Sequence, residues 1–416
     1  MSLLTFFIRR RYLVIVCLHI NLLLAFLLYD ILLTFSSINR KFLSLNVTNP
    51  NEKLVLITSK HNRWLALGQL NGSLFRVAYS AFQCSSLSLP TNTVRRRKSF
   101  QPLYRFVGSE LYDYPLHVDA AEKVCRFRQG EVVSEGSHED REFPLLITGE
   151  TLCSNSVSGF IDLLILVKSP LNHTAERKII RNSWGKMKCW KGKVVRLVFL
   201  VAFLDDHSQL ASLTNESQEY GDIVQQKFYE DYHNTTYKII LGLKWGITFC
   251  AEAQWYLFAD EDTFVNPRAI SRYIDQMNSV QMPRVVAGCL IRRSAVLRND
   301  RKPFKWSVDA DLYPFSRYPP YVSGPAVLIS ADLALDLYVA SRFTNYFPLD
   351  DVFLGLVMNK LLIRPLPIPY IYTLPVILSH LDNLRSIIVV HGFYEHKVKL
   401  WLWSHFKMNG RCKLEE

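Results

Sequence analysis

From Phe160 onward the chain settles into long apolar runs separated by stretches of helical spacing. Ile161-Asp162-Leu163-Leu164-Ile165-Leu166-Val167 is nearly continuous, which predicts a central strand buried on both faces. Residues 175–184 predict a helix, Val194 to Val201 a second buried strand, and Tyr237 to Ala253 a longer helix. Trp255-Tyr256-Leu257-Phe258 then reads as the end of a third strand. Strands alternating with helices predict an α/β layered sheet whose ligands gather at the carboxyl ends of the strands.

The amino-terminal pattern is different. Tyr12 to Tyr29 is almost wholly apolar and resumes after Asp30 with Ile31-Leu32-Leu33, long enough to cross a bilayer as a helix. Arg9-Arg10-Arg11 precede it, so the positive-inside rule leaves residues 1–11 in the cytosol and sends the rest across. Residues 12–35 are read as a signal anchor, the membrane contact of a type II protein. Residues 36–154 are read as a stem with a partly ordered extension. Short β-like runs, Lys53 to Ile57 and Leu74 to Ala78, interrupt it, and Ser134 to Arg141 reads as a linker. Residues 155–416 form the main folded domain.

Composition narrows the classes. The 416 residues are 49% hydrophobic and 13% aromatic, which argues against general disorder. Lys and Arg outnumber Asp and Glu by 12, but no long basic helix or basic motif interleaved with aromatics is present, so nucleic acid is not expected as a partner. Seven of the eight cysteines follow the apolar span without metal-ligand spacing, which favours disulfides in an oxidising compartment. Five N-x-S/T sequons, at Asn46, Asn71, Asn172, Asn215 and Asn234, lie on the same side; glycans are expected at Asn234 and at least one other.

The chemistry centres on Asp260-Glu261-Asp262, at the end of the third strand and followed by Thr263-Phe264-Val265-Asn266. Carboxylates delivered there can ligate a hard divalent cation that in turn holds a diphosphate. An acidic triplet alone also occurs on solvated loops, so the rest of the chain has to support the reading.

Several separated motifs together resemble one family, the β-1,3-galactosyltransferases. Residues 177–185, Arg-Lys-Ile-Ile-Arg-Asn-Ser-Trp-Gly, resemble its R-x-x-I-R-x-T-W-G block. Tyr220 to Phe228, Asp231 to Lys238 and Trp245 resemble a second block; Asp260 to Asn266 resembles D-D-D-V-F-V-N. Tyr318 to Gly324 resembles Y-P-P-Y-C-S-G, and Asp350-Asp351-Val352-Phe353-Leu354-Gly355 resembles E-D-V-Y-x-G. The resemblance runs from about residue 160 to 412 and leaves 36 to about 150 uncovered. Glu261 and Asp350 depart conservatively, whereas Val322 stands where the family has a cysteine, and Pro325 stiffens the loop after it.

The resemblance implies a GT-A-like (Rossmann-like) mixed sheet flanked by helices. It also implies a Golgi enzyme that moves galactose from UDP-galactose to a 3-hydroxyl of a glycan on glycolipid or glycoprotein, inverting to a β-1,3 linkage. Mn²⁺ suits the departing diphosphate because it takes both oxygen and imidazole ligands. Asp262 is then the metal carboxylate, with Asp260 beside it for the ribose or a metal-bound water, and His391 completes the coordination; otherwise His391 is a surface histidine at a strand end. Asp351 matches the family's general base, ahead of Asp350, although either aspartate could instead cap the helix that follows. Arg181 is expected to contact the nucleotide, while Arg177 could do so or satisfy the first helix. Trp184, Trp245 and Trp306 are read as packing residues, and Tyr318 to Gly324 as either a sugar contact or a Pro-rich turn. Transfer of N-acetylglucosamine or N-acetylgalactosamine stays open, as does a non-catalytic lumenal relative acting as a chaperone.

Overall fold

The computed structural model describes residues 57–58, 64–70, 73–79, 119–133, 143–154, 160–190, 192–280, 284–298, 305–373, 387–392 and 395–405. The expected cytosolic tail, the membrane span 12–35, Asn46, Asn71 and the linker Ser134 to Arg141 lie outside them. Among the described residues no helix is long and apolar enough to cross a membrane.

Three early strands, β1 (Ile57–Thr58), β2 (Trp64–Leu70) and β3 (Ser73–Tyr79), form a small antiparallel sheet. The main sheet draws on β4 (Leu145–Ile147), β5 (Ile161–Lys168), β6 (Val195–Phe203), β7 (Ile223–Tyr229) and β8 (Ala253–Asp260). After β9 (Phe264–Val265), it is completed by β10 (Val286–Ile291), β11 (Tyr321–Ser330) and β12 (Leu366–Pro367). Among the described residues its eight strands run in the order β12-β10-β11-β8-β5-β6-β7-β4. The four central strands β8, β5, β6 and β7 are parallel; β11 and β4 join them antiparallel.

The near-continuous apolar runs have the cause expected of them, because helices cover both faces. Leu164 and Leu166 of β5 pack in one core with the helices Thr235–Phe249, Ala331–Ser341 and Asp350–Lys360. Leu163, Ile165 and Val167 pack in the other, with the helices Thr174–Asn182 and Pro267–Ser279. The long central helix lies close against the sheet at Gly242 and Gly246. A Cβ on Gly242 would stand 2.5 Å from the Phe258 ring, and one on Gly246 would meet Tyr256.

The fold begins earlier than residue 155. Helix Ala120–Arg128 is tied in by Arg128, which pairs with buried Asp336 at 2.7 Å. The edge strand β4 pairs with β7, and Cys153 is disulfide-bonded to Cys250 at the end of the central helix. Cys125 is disulfide-bonded as well. Residues 119–133 and 143–154 therefore pack with the sheet and its cover, on the amino-terminal side of the expected boundary at 155.

A third, small sheet sets up the chemistry. β13 (Ile371–Tyr372) pairs parallel with β14 (Val389–Val390), and β14 pairs antiparallel with β9, directly after the acidic triplet. Asn266 fastens this junction. Its side-chain oxygen caps helix Pro267–Ser279 by accepting from Arg268 N and Ala269 N, its amide nitrogen donates to Ile387 O at 2.9 Å, and its backbone N–H donates to Ile388 O at 2.8 Å.

Candidate active site

Four parts of the chain converge at the carboxyl ends of β5 and β8. Lys168 and Asp260 end these parallel strands and are register partners. The antiparallel pairing of Val390 with Phe264 brings His391 back beside Asp262. One ligand atom each from Asp260, Asp262 and His391 lies within 4.8 Å of the others. His391 Nε2 is 3.2 Å from Asp262 and 3.9 Å from Asp260. Its Nδ1 donates to Thr373 O at 2.9 Å, which orients the ring and leaves Nε2 facing the carboxylates.

Electrostatics follow that geometry. Burial works against a charged imidazole, but Asp262 and Asp260 outweigh it and hold the His391 pKa above its usual value. Burial raises the Asp262 carboxyl, yet the His391 contact leaves it below the usual range. Asp260 is pushed up, first by burial and then by neighbouring Asp350 and Asp262 against the pull of Lys168. Two carboxylates and an oriented imidazole form an O,O,N donor set, which fits a borderline-hard ion such as Mn²⁺.

Glu261 plays a different part. Its carboxylate turns away from the triad, accepting from Ser169 Oγ at 2.6 Å and meeting His173 Nδ1, so the longer side chain supports the loop after β5. Lys399 covers the same turn, donating to Glu261 O at 3.2 Å.

Asp350 and Asp351 open helix Asp350–Lys360, where Leu349 is the N-cap and makes no side-chain cap bond. Neither aspartate is the N-cap residue, yet each accepts a first-turn backbone N–H, Asp350 from Asp351 N at 2.9 Å and Asp351 from Val352 N at 2.7 Å. Asp350 is engaged by the Lys168 ammonium at 2.5 Å. Asp351 has no such ion pair among the described residues; besides Val352 N it accepts from Gly324 N at 3.3 Å. Burial, then the charge of Asp350, lifts the Asp351 pKa to about 7. A carboxyl titrating near neutrality and unclaimed by a cation is suited to accept a proton, and Asp350 is not. Gly324 reaches Asp351 from an irregularity in β11, where the register with β10 shifts between Gly288 and Leu290. Bulges of this kind re-aim backbone groups beside active sites.

Lys168 was not singled out from the sequence. It is buried and bridges Asp260 at 2.7 Å and Asp350 at 2.5 Å, so one ammonium joins the end of β8 to the helix that carries Asp351. Burial pulls its pKa down, but the two aspartates prevail and raise it. The readable signal was a lysine ending an apolar run in register with the first aspartate of the triplet. Lys168→Met leaves two neighbouring carboxylates without their shared cation. It is expected to cost about 2–3 kcal/mol, less than a fully buried pair because Asp260 keeps some contact with water. Urea unfolding of the variant measures it.

The arginines divide in a way the sequence did not give. Arg177 is fully buried, pairing with Glu216 at 2.6 Å and donating to Ser169 Oγ, Pro170 O and Leu171 O, so it shapes the loop after β5. Arg181, expected at the nucleotide, has all three nitrogens on carboxylates: Asp222 takes Nε and Nη2, each at 2.7 Å, and Glu216 takes Nη1 at 2.8 Å. Its guanidinium also lies over the Tyr220 ring. Arg181 is thus a half-buried ion-pair residue in this structure. Trp184 and Trp245 are buried as expected, with Trp245 Nε1 donating to Thr148 O at 2.6 Å. Trp306 is not, at 45% exposed. Tyr318 is core, whereas Tyr321, three residues on, is only half-buried. Among the described sequons Asn172 and Asn215 are exposed, while Asn234 is half-buried and donates to Tyr229 O at 2.9 Å.

A family model described as Galactosyltransferase matches residues 175–369, a stretch that includes Asp260, Asp262 and Asp351. Beta-1,3-galactosyltransferase 5 of Pan troglodytes is 35% identical over 203 residues, covering 49% of this chain and 67% of that protein. The chain belongs to the β-1,3-galactosyltransferase family. The same enzyme of Pan paniscus is 35% identical over 66% of its own length, just short of two thirds. Beta-1,3-galactosyltransferase 1 of Mus musculus is 29% identical over 313 residues, covering 75% of this chain and 92% of that protein. His391 and strands β13 and β14 lie beyond the residues of the family match, and β14 pairs onto β9, which lies within it, to bring His391 to Asp260 and Asp262.

Proposed function

We propose that the chain is a UDP-sugar-dependent β-1,3-galactosyltransferase of the Golgi membrane, anchored through residues 12–35. It transfers galactose from UDP-galactose to a 3-hydroxyl of a glycan on glycolipid or glycoprotein, with inversion. The observation that carries this is the juxtaposition of a cation-binding set, Asp260, Asp262 and His391, with a carboxyl tuned to about neutrality, Asp351, joined through Lys168 and Asp350. Names of relatives supply the sugar and the linkage.

Asp260, Asp262 and His391 would hold Mn²⁺, which when bound offsets the charge of the diphosphate as it leaves. Asp351 accepts the proton of the acceptor hydroxyl as that oxygen attacks the anomeric carbon from the side opposite the diphosphate, a single displacement that inverts the centre. The two backbone N–H groups on Asp351 fix its carboxylate without neutralising it. Lys168 pairs with Asp350 and Asp260 and so ties the base-bearing helix to the strand that ends in Asp260.

The sign of the pH dependence follows. With Asp351 near 7, the base is protonated and idle below neutrality, so kcat/KM should rise tenfold per unit through the acidic range and level off above about 7. A profile flat from about pH 5 to 8 would remove Asp351 from the role. The test of the whole reading is transfer by the detergent-solubilised full chain, using UDP-galactose, UDP-N-acetylglucosamine and UDP-N-acetylgalactosamine with a panel of acceptor glycosides, with and without Mn²⁺. Preference for an N-acetylhexosamine would keep the mechanism and change the donor; no transfer from any donor would leave a non-catalytic relative.

A further inference from the structure

Two of the exposed large aromatic side chains, Trp306 and Tyr232, are 45% and 46% exposed yet firmly placed. The Trp306 indole N–H donates to the Tyr232 hydroxyl at 2.7 Å, and Lys305 Nζ lies 4.8 Å from the Tyr232 ring centre and 5.2 Å from that of Trp306. His233 Nε2 bonds Lys305 O at 3.1 Å. Below, Arg298 donates to Val308 O, Tyr313 O and Phe315 O, fixing the segment that follows Trp306. Rings fixed before a ligand arrives lose little freedom when it binds.

The pair stands on the Asp351 side of the site. The Tyr346 hydroxyl donates to His233 O, and Thr236 Oγ1 donates to Phe347 O at 2.6 Å, so the Tyr232 turn is fastened to the segment leading into Asp350 and Asp351. The Tyr232 hydroxyl reflects this. Burial lifts its pKa to about 12 against the Trp306 hydrogen bond, with Asp350, Asp351 and Asp260 adding to the rise. Half-buried Tyr321 also feels Asp351.

We propose that Tyr232 and Trp306 form a platform for the ring of the acceptor sugar, and that the sugar it takes is a β-linked pyranose. This rests on the transferase reading above. A pyranose offers a face of C–H groups that packs on the electron-rich face of an aromatic ring, while its rim hydroxyls need donors and acceptors. Lys305, whose ammonium lies over both rings, supplies a donor beside the ring faces left open, and Asp351 an acceptor. In a β-glycoside the anomeric oxygen is equatorial, so the hydrogens on C1, C3 and C5 present a clear apolar face. In an α-glycoside that oxygen is axial and projects from this same face, lifting the sugar off the rings.

Saturation-transfer NMR on the full chain in detergent, with methyl β-galactopyranoside, methyl β-N-acetylglucosaminide and their α-anomers as probes, tests this without chemistry. Saturation should be strongest on the hydrogens of C1, C3 and C5 of a β-anomer and weaker for its α-anomer. Trp306→Ala should abolish it, and Trp306→Phe should restore part. In transfer assays Trp306→Ala should raise acceptor KM by about five- to tenfold, with UDP-sugar affinity unchanged. Probes bound with α and β equal, or bound equally by Trp306→Ala, overturn the platform, as does a wild-type chain that binds none of them. Probe binding that depends on Trp306 in a chain that transfers nothing would uphold the platform and fail the transferase reading. Transfer with an unchanged acceptor KM in Trp306→Ala would do the reverse.

Discussion

Asp351→Asn is expected to lower turnover by about two to four powers of ten while leaving UDP-sugar and Mn²⁺ affinity nearly unchanged. The amide keeps the size of the carboxyl and can still accept from Val352 N or Gly324 N, so the helix start survives. What it loses is the ability to take a proton. The same substitution should make the protein more stable at neutral pH. The folded-state pKa of about 7 lies above the usual carboxyl value of 3.8, so the native state binds the proton more tightly than the unfolded chain. That contribution is fully present below about 3.8 and lost as pH rises through 7. Melting curves at pH 5 and pH 8 should show the variant gaining more on wild type at the higher pH. Near-normal turnover would exclude Asp351 as the base, and weakened donor binding would move it into the nucleotide site.

The second large effect concerns the metal. Asp262→Asn removes the carboxylate nearest His391 and is expected to reduce transfer by about two to three powers of ten, with loss of Mn²⁺-dependent donor binding and no change in the far-UV spectrum. Asp262 is half-buried at a turn, so the amide fits the same space. Full activity in this variant, or in wild type after exhaustive chelation, would refute the assignment.

The central strands were legible because burial on both faces leaves the apolar composition of Ile161–Lys168, Val195–Phe203 and Ala253–Asp260 little choice. Asp260, Asp262 and Asp351 were legible because each sits where a strand ends or a helix begins, and because the motifs around them resemble one family. The edge strand β4 was not, since it is three residues long and carries no period to read. The ion pairs of Arg181 were not legible because its carboxylates, Glu216 and Asp222, lie on later segments that only the folded chain brings together. Lys168 looked like the polar stop of an apolar run, and its two partners likewise come from distant segments. The exposure of Trp306 runs against the usual burial of tryptophan; nothing in a single sequence marks such an exception.

The return of the chain through β14 has a consequence for synthesis. The ribosome finishes the eight strands of the main sheet at β12, Leu366–Pro367, well before it reaches His391. A nascent chain can thus hold a complete sheet, both triplet aspartates, Lys168 and Asp351 and still lack its imidazole ligand. Docking of residues 387–391 against β9 and Asn266 is the last assembly step of the ligand set. A stop codon just before that stretch would spare all eight strands of the main sheet but remove His391, leaving Asp260 and Asp262 without the third member of the set.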